Sequence, residues 1–156
     1  MSKIKLNLVV MFIFLFPVMS IQASSLVLNQ AVQAMSDGHY SQAYSQFTVL
    51  AKRGNVQAQV LLGIMYKEGY GIQSNLDFAR HWFQQAAFMD DPAAQYMLGL
   101  TYIDPLAKDK DEAQAYEWIS RAAHNQNREA RHFLMLTHRH GWLGMPVSSN
   151  LSSYWQ

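Results

Sequence analysis

Residues 56–91 read VQAQVLLGIMYKEGYGIQSNLDFARHWFQQAAFMDD, and residues 92–127 read PAAQYMLGLTYIDPLAKDKDEAQAYEWISRAAHNQN. Laid over one another, Ala58, Leu62, Gly63, Tyr66, Ala79, Trp82, Ala86 and Ala87 fall on Ala94, Leu98, Gly99, Tyr102, Ala115, Trp118, Ala122 and Ala123. Every offset is 36 residues (94 − 58, 118 − 82, 123 − 87). A third, partial copy starts with Ala130 and Leu134. A fixed period of this size is the mark of stacked supersecondary units, each too small to bury its own apolar face.

Each copy resolves into two helices. Asn55, Asp91 and Asn127 stand at equivalent positions and are good N-cap residues for a first helix. Pro92 follows at a position where its missing N–H costs nothing. The first helices run from about Val56 to Lys67 and from about Pro92 to Ile103. Gly63 and Gly99 each cost about 1 kcal/mol against Ala in a free helix, so their recurrence predicts close approach of a neighbouring helix. Gly69 and Gly71 end the first helix with residues that tolerate positive φ. Asn75 and Asp111 then cap a second helix carrying the alanine and Trp stripe, and Trp82 and Trp118 are expected to be largely buried between the layers.

Upstream, Leu26 to Arg53 reads as another hairpin, turned at Asp37-Gly38. Ala43, Phe47 and Ala51 keep the 36-residue register with Ala79, Phe83 and Ala87. Downstream, Arg128 to His138 gives one more first helix, with Met135 in the glycine place and His138 in the place of Tyr66 and Tyr102. Asn150 to Gln156 looks like the start of a second helix that stops early. Two alternatives are open for the last dozen residues: they pack back on the end of the stack, with Trp142, Tyr154 and Trp155 as the apolar material, or they are mobile.

Met1 to Ala23 reads as a secretory signal: Lys3 and Lys5 form a positive n-region, Leu6 to Met19 is apolar apart from Asn7, and small residues follow. The apolar run is short for a bilayer span. Cleavage after Ala23 is expected, with retention as an N-terminal anchor the alternative because Ile21 is not a small −3 residue. The bulk of the chain is therefore expected to be extracytoplasmic, periplasmic or secreted, with membrane contact only if the segment stays uncleaved. The organisation is then a signal peptide at 1–23, a tetratricopeptide-like hairpin at 24–55, two repeats at 56–91 and 92–127, and a partial repeat and tail at 128–156.

Half the residues are hydrophobic and 15% are charged, which fits a globular chain. Without Lys3 and Lys5, ten Lys and Arg face eleven Asp and Glu. No basic stripe follows from that balance, so nucleic acid is not expected as a partner. The absence of cysteine removes disulfides, thiolate metal sites and thiol catalysis. His132, His138 and His140 lack the i, i+4 pairing of helical zinc sites, and no metal or other cofactor is expected. No nucleophile elbow surrounds Ser148, Ser149, Ser152 or Ser153. Asp77 and Glu117 read as solvated charges, and Asp90-Asp91 as helix N-terminal charge. Asn150-Leu151-Ser152 matches a glycosylation sequon, a pattern that chance produces often.

The string Ala58-x-x-x-Leu62-Gly63-x-x-Tyr66-x-x-Gly69-x-Gly71-Ile72 followed by Ala79-x-x-Trp82-x-x-x-Ala86-Ala87 resembles the Sel-one-like repeat, a relative of the tetratricopeptide repeat. The second copy departs from that pattern in its loop, where Pro105 and Ala107 replace the glycines, and a different backbone path is expected there. The resemblance implies an all-α fold, an α/α superhelix of helical hairpins, that binds other proteins, often in envelope or secretion contexts. Together with the signal, the lack of catalytic clusters and the near-neutral charge, the repeats point to a non-enzymatic adaptor holding a peptide or amphipathic helix of another envelope protein in a concave groove. The alternatives are a cell-wall-associated hydrolase, or a subunit of an envelope complex whose stack another chain completes.

In such stacks the first helices line the concave side. With Ala31, Gly63, Gly99 and Met135 placed in register, one column is Leu28, Val60, Tyr96 and His132. A second is Val32, Ile64, Leu100 and Leu136, and a third, at the edge, is Met35, Lys67, Ile103 and Arg139. The candidate groove is therefore Leu28, Val32, Val60, Ile64, Lys67, Tyr96, Leu100, Ile103, His132, Leu136 and Arg139, with Tyr96 the best single anchor.

Overall fold

The computed structural model describes residues 24–156; the signal segment expected at Met1 to Ala23 lies outside the described residues. These fold entirely from helices and turns, with no strand among them. A helix over 24–36 (α1) is followed by α2 (Tyr40–Lys52), α3 (Val56–Glu68), α4 (Leu76–Ala87), α5 (Pro92–Ile103), α6 (Glu112–His124), α7 (Arg128–His140), a 3₁₀ turn at Trp142–Gly144 and a short α8 (Ser149–Tyr154). From α2 onward each helix packs chiefly on the next in sequence, as a solenoid requires.

The caps follow the chemistry of the repeat. Side-chain oxygens of Asn55, Asp91 and Asn127 accept the N–H groups of Ala58, Ala94 and Ala130 at 2.8, 2.7 and 2.7 Å. Asn75 and Asp111 do the same for Phe78 and Gln114 at the starts of α4 and α6. The two helices of a hairpin are also tied by one backbone bond. Asn75 N–H donates to the Tyr66 carbonyl at 2.8 Å, Asp111 to Tyr102 at 3.0 Å and Ser148 to His138 at 2.9 Å. The first two bonds span nine residues (75 − 66, 111 − 102) and the third spans ten (148 − 138). The third loop therefore carries one extra residue.

Gly69 closes α3 in the left-handed conformation at φ 78°. The second loop takes the different path expected of it: Asp104 ends α5 with extended backbone, and its carboxylate accepts the Leu106 N–H. Arg80 then reaches over to Asp109 at 2.7 Å and lies across the Tyr102 ring at 4.7 Å.

The helix-interior glycines sit where two helices touch. A Cβ at Gly63 would come within 2.6 Å of the Phe83 ring, and one at Gly99 within 2.6 Å of Ile119 Cγ1 and 3.0 Å of the Ala115 carbonyl. The large side chains filling the repeat cores are thus Phe47, Phe83 and Ile119, each 0% exposed. This corrects the expectation for the tryptophans. Trp82 and Trp118 are only partly buried and pack against the core of the preceding repeat. Trp118 meets Phe88 edge to face at 5.7 Å. Their role is at the seam between repeats.

A second recurrence supports the seams. Buried Gln59 donates from Nε2 to the Ala51 carbonyl at 3.2 Å, and buried Gln95 to the Ala87 carbonyl at 3.3 Å. Each amide adds a second hydrogen bond to a carbonyl at the end of the preceding helix, which also accepts the backbone N–H of Gly54 (to Ala51) or Asp90 (to Ala87).

The C-terminal tail does pack back on the stack. Trp155 is buried and lies edge to face on His124 at 5.0 Å, whereas Trp142 and Tyr154 are largely exposed. Counted from the cap, Ser152 stands at the place of Ala79 and Ala115, and Trp155 at that of Trp82 and Trp118. Ser152 is buried and donates to the Met135 carbonyl at 3.2 Å.

Candidate functional site

Tyr96 on α5 and one face of α7 bound a recess of about 570 Å³, lined by Tyr96, Arg128, Glu129, His132, Phe133 and Leu136. The α7 residues fall on a single helical face, since 128, 132 and 136 lie four apart and 129 and 133 sit beside them. Asn127 fixes where α7 starts and so which side chains turn inward. The half-buried Tyr96 ring meets Phe133 edge to face at 6.4 Å, and Phe133 in turn lies 6.3 Å from the Trp142 ring. His140 stacks on Trp142 at 5.4 Å and extends the aromatic row. Burial, with the Glu129 carboxylate adding to it, pushes the Tyr96 hydroxyl above its ordinary pKa, so it stays a neutral donor near neutral pH.

Three of the expected groove residues, Tyr96, His132 and Leu136, come together in this recess. The others lie elsewhere along the first helices. Val60 and Ile64 are half-buried against the core of the second hairpin, and Leu100, like Tyr96, packs against the core formed by Ile119, Ala122, Ala130 and Leu134. Val32 is exposed, Ile103 is half-buried and Arg139 is exposed. Lys67 pairs with the adjacent Glu68 at 2.7 Å. Leu28 is a correction: it is 9% exposed and packs with Ala31, Ala34 and Phe47, so it belongs to the core of the first hairpin.

Arg128, Glu129 and Phe133 were not anticipated. Phe133 lies one residue beyond His132 in the column register, and the first turn of a helix falls outside a column drawn through its middle. The spacing of 128, 129, 132, 133 and 136 was nevertheless present as a signal once α7 was assigned.

A second, smaller recess of about 260 Å³ adjoins the first. It is lined by Arg128, Arg131, His132, Met135, Trp155 and Gln156, so Arg128 and His132 are shared between the two. Among the described residues no group of three or more His, Asp or Glu gathers as a metal site would require. His138 is buried in the core, its Nε2 3.1 Å from the Tyr116 hydroxyl. That contact is the third of a series. Tyr44 and Tyr66 share a hydrogen bond at 2.8 Å, Arg80 covers Tyr102, and Tyr116 meets His138, each pair 36 residues on from the last. Burial and the Tyr44 hydroxyl push Tyr66 up to about 12. The series joins successive repeats and is structural.

Comparison with known proteins agrees with this architecture. The Sel1 repeat family matches at residues 56–91 and 92–127. A search of curated proteins found no match. Among solved structures, a Sel1 repeat protein from Oxalobacter formigenes superposes with a TM-score of 0.76 at 22% identity, over 85% of this chain and 56% of that one. A protective antigen present in uropathogenic Escherichia coli strains, displaying an SLR fold, also has a TM-score of 0.76 at 22% identity. It is matched over 85% of this chain and 29% of its own length. This chain thus spans about half of the first neighbour and under a third of the second. With its repeated caps, glycine contacts and sequential helix packing, the chain is an α/α solenoid that carries two Sel1 repeats, at residues 56–91 and 92–127.

Proposed function

We propose that this protein is an exported, non-catalytic adaptor that holds a peptide or helix of another cell-envelope protein against the first helices of its repeats. Sel1 repeats typically mediate protein–protein interaction. The observation that carries the finer reading is the recess between α5 and α7. It offers two aromatic rings and a leucine beside ionisable side chains, which suits a segment with an apolar anchor. Val60, Ile64 and Leu100 continue partly exposed apolar surface along the neighbouring first helices. Export rests on the residues of 1–23: two lysines, an apolar run and small residues at its end.

Tyr96 is the residue on which the docking reading turns. In an affinity capture from an envelope extract, wild-type chain is expected to retain a protein that Tyr96→Ala releases, while both variants melt alike. Retention of the same protein by Tyr96→Ala at equal strength would place the docking surface elsewhere.

A further inference from the structure

The near-zero charge of the whole chain conceals a gradient along the solenoid. Residues 24–120 carry six Lys and Arg against ten Asp and Glu, whereas residues 121–156 carry four arginines (Arg121, Arg128, Arg131 and Arg139) against Glu129 alone. Four of the six histidines also lie in that last segment: His124, His132, His138 and His140. Arg121 is engaged with Asp90 at 2.6 Å. Among the described residues no carboxylate lies in ion-pair range of Arg128 or Arg131.

Those two arginines are placed together. Arg128, Arg131, His132 and Met135 form one stripe of α7 and wall the smaller recess with Trp155, and no acidic side chain lines that recess. Arg128 and His132 form the ridge between it and the larger recess of Tyr96, Phe133 and Leu136. Glu129 is on the far side of the ridge, lining the larger recess. Both arginines belong to the first turns of α7, where backbone N–H groups add to the positive potential. A recess with an apolar side (Tyr96, Phe133 and Leu136) and a cationic one therefore lie side by side and share a wall.

We infer that the two recesses form one bipartite site for a peptide segment that carries an aromatic or aliphatic residue beside one or more acidic residues. The apolar side chain enters the space bounded by Tyr96, Phe133 and Leu136. The carboxylates cross the ridge to Arg128 and Arg131, where guanidinium forks bind them as charge-assisted pairs. Unpaired cations beside an apolar recess select by charge complementarity: they speed the encounter with acidic segments and disfavour basic ones. This inference rests on the adaptor reading above and narrows its partner to an acidic–apolar segment.

The test is selection of a phage-displayed library of random peptides on the wild-type chain, on Tyr96→Ala and on the double variant Arg128→Glu/Arg131→Glu, with Arg128→Gln/Arg131→Gln as a milder second variant. The expected peptides pair an acidic residue with an aromatic or aliphatic one. Synthesised singly, they should bind the charge-reversed chain at least about tenfold more weakly, and wild type more weakly as salt rises. Enriched peptides that are neutral or basic, and that Tyr96→Ala still releases, would overturn the inference and leave the adaptor reading standing. No enrichment, or peptides indifferent to Tyr96→Ala, would overturn both. Self-association of the chain that the arginine variants abolish would assign the site to a second copy and overturn the inference.

Discussion

A Cβ added at Gly99 meets two obstacles of different kinds: the Ile119 side chain at 2.6 Å and the Ala115 carbonyl oxygen at 3.0 Å. The side chain can shift, but the carbonyl is part of α6 and cannot move without it. At Gly63 the obstacle is the Phe83 ring, which is fully buried and has little room to turn. Alanine gains about 1 kcal/mol in helix propensity, while overpacking a tight core costs typically about 1–3 kcal/mol. Gly99→Ala is therefore expected to lower stability by about 1–2 kcal/mol in urea melts, and a gain would show that the helices can separate freely. The glycines were legible in the sequence because a residue that is poor in a helix recurred there. Gln59 and Gln95 recur at the same interval and were passed over, because glutamine ordinarily reads as surface. Their carbonyl partners lie eight residues back on another helix, a relation that periodicity within one helix does not display.

At the scale of the element, α8 shows how one inserted residue hides an equivalence. A strict period of 36 puts Trp155 on Ile119, but the extra loop residue puts it on Trp118. The contacts agree with the second alignment, since Trp118 lies on Phe88 and Trp155 on His124, a residue 36 places later. α8 thus stands in the place of a second helix and packs on α7. Trp155→Ala removes a ring that is 8% exposed at the end of the stack. A loss of about 3 kcal/mol is expected from chemical denaturation, against little change for Tyr154→Ala, whose ring is exposed. An unchanged midpoint for Trp155→Ala would mean that α8 does not hold the last repeat. The tryptophan stripe misled for a related reason: large aromatic residues at helical spacing imply contact with something. Only the structure distinguishes the core of their own hairpin from the seam with the one before it.

For the molecule as a whole, the fold was legible because the chain states its hairpin more than once, and the stack follows from each copy's unsatisfied face. The candidate site was legible only in part. Tyr96, His132 and Leu136 came from columns drawn through equivalent positions. Arg128, Glu129 and Phe133 depend on how α5 and α7 stand to each other, which no single helix encodes. Export is a separate expectation: mass spectrometry of the chain recovered outside the cytoplasm should give an N-terminus at Ser24 or close to it, and a chain retaining Met1 to Ala23 in a membrane fraction would favour the anchor instead. The central claim is that the α5–α7 recess binds a partner segment through Tyr96. It is tested most directly by calorimetric titration of a peptide selected on the wild-type chain into Tyr96→Ala, with the melt of each protein recorded alongside. The account predicts a loss of about 1 kcal/mol or more in binding free energy, on the order found when an interface anchor is truncated, with nearly unchanged melting. Equal affinity in a folded Tyr96→Ala chain would contradict it.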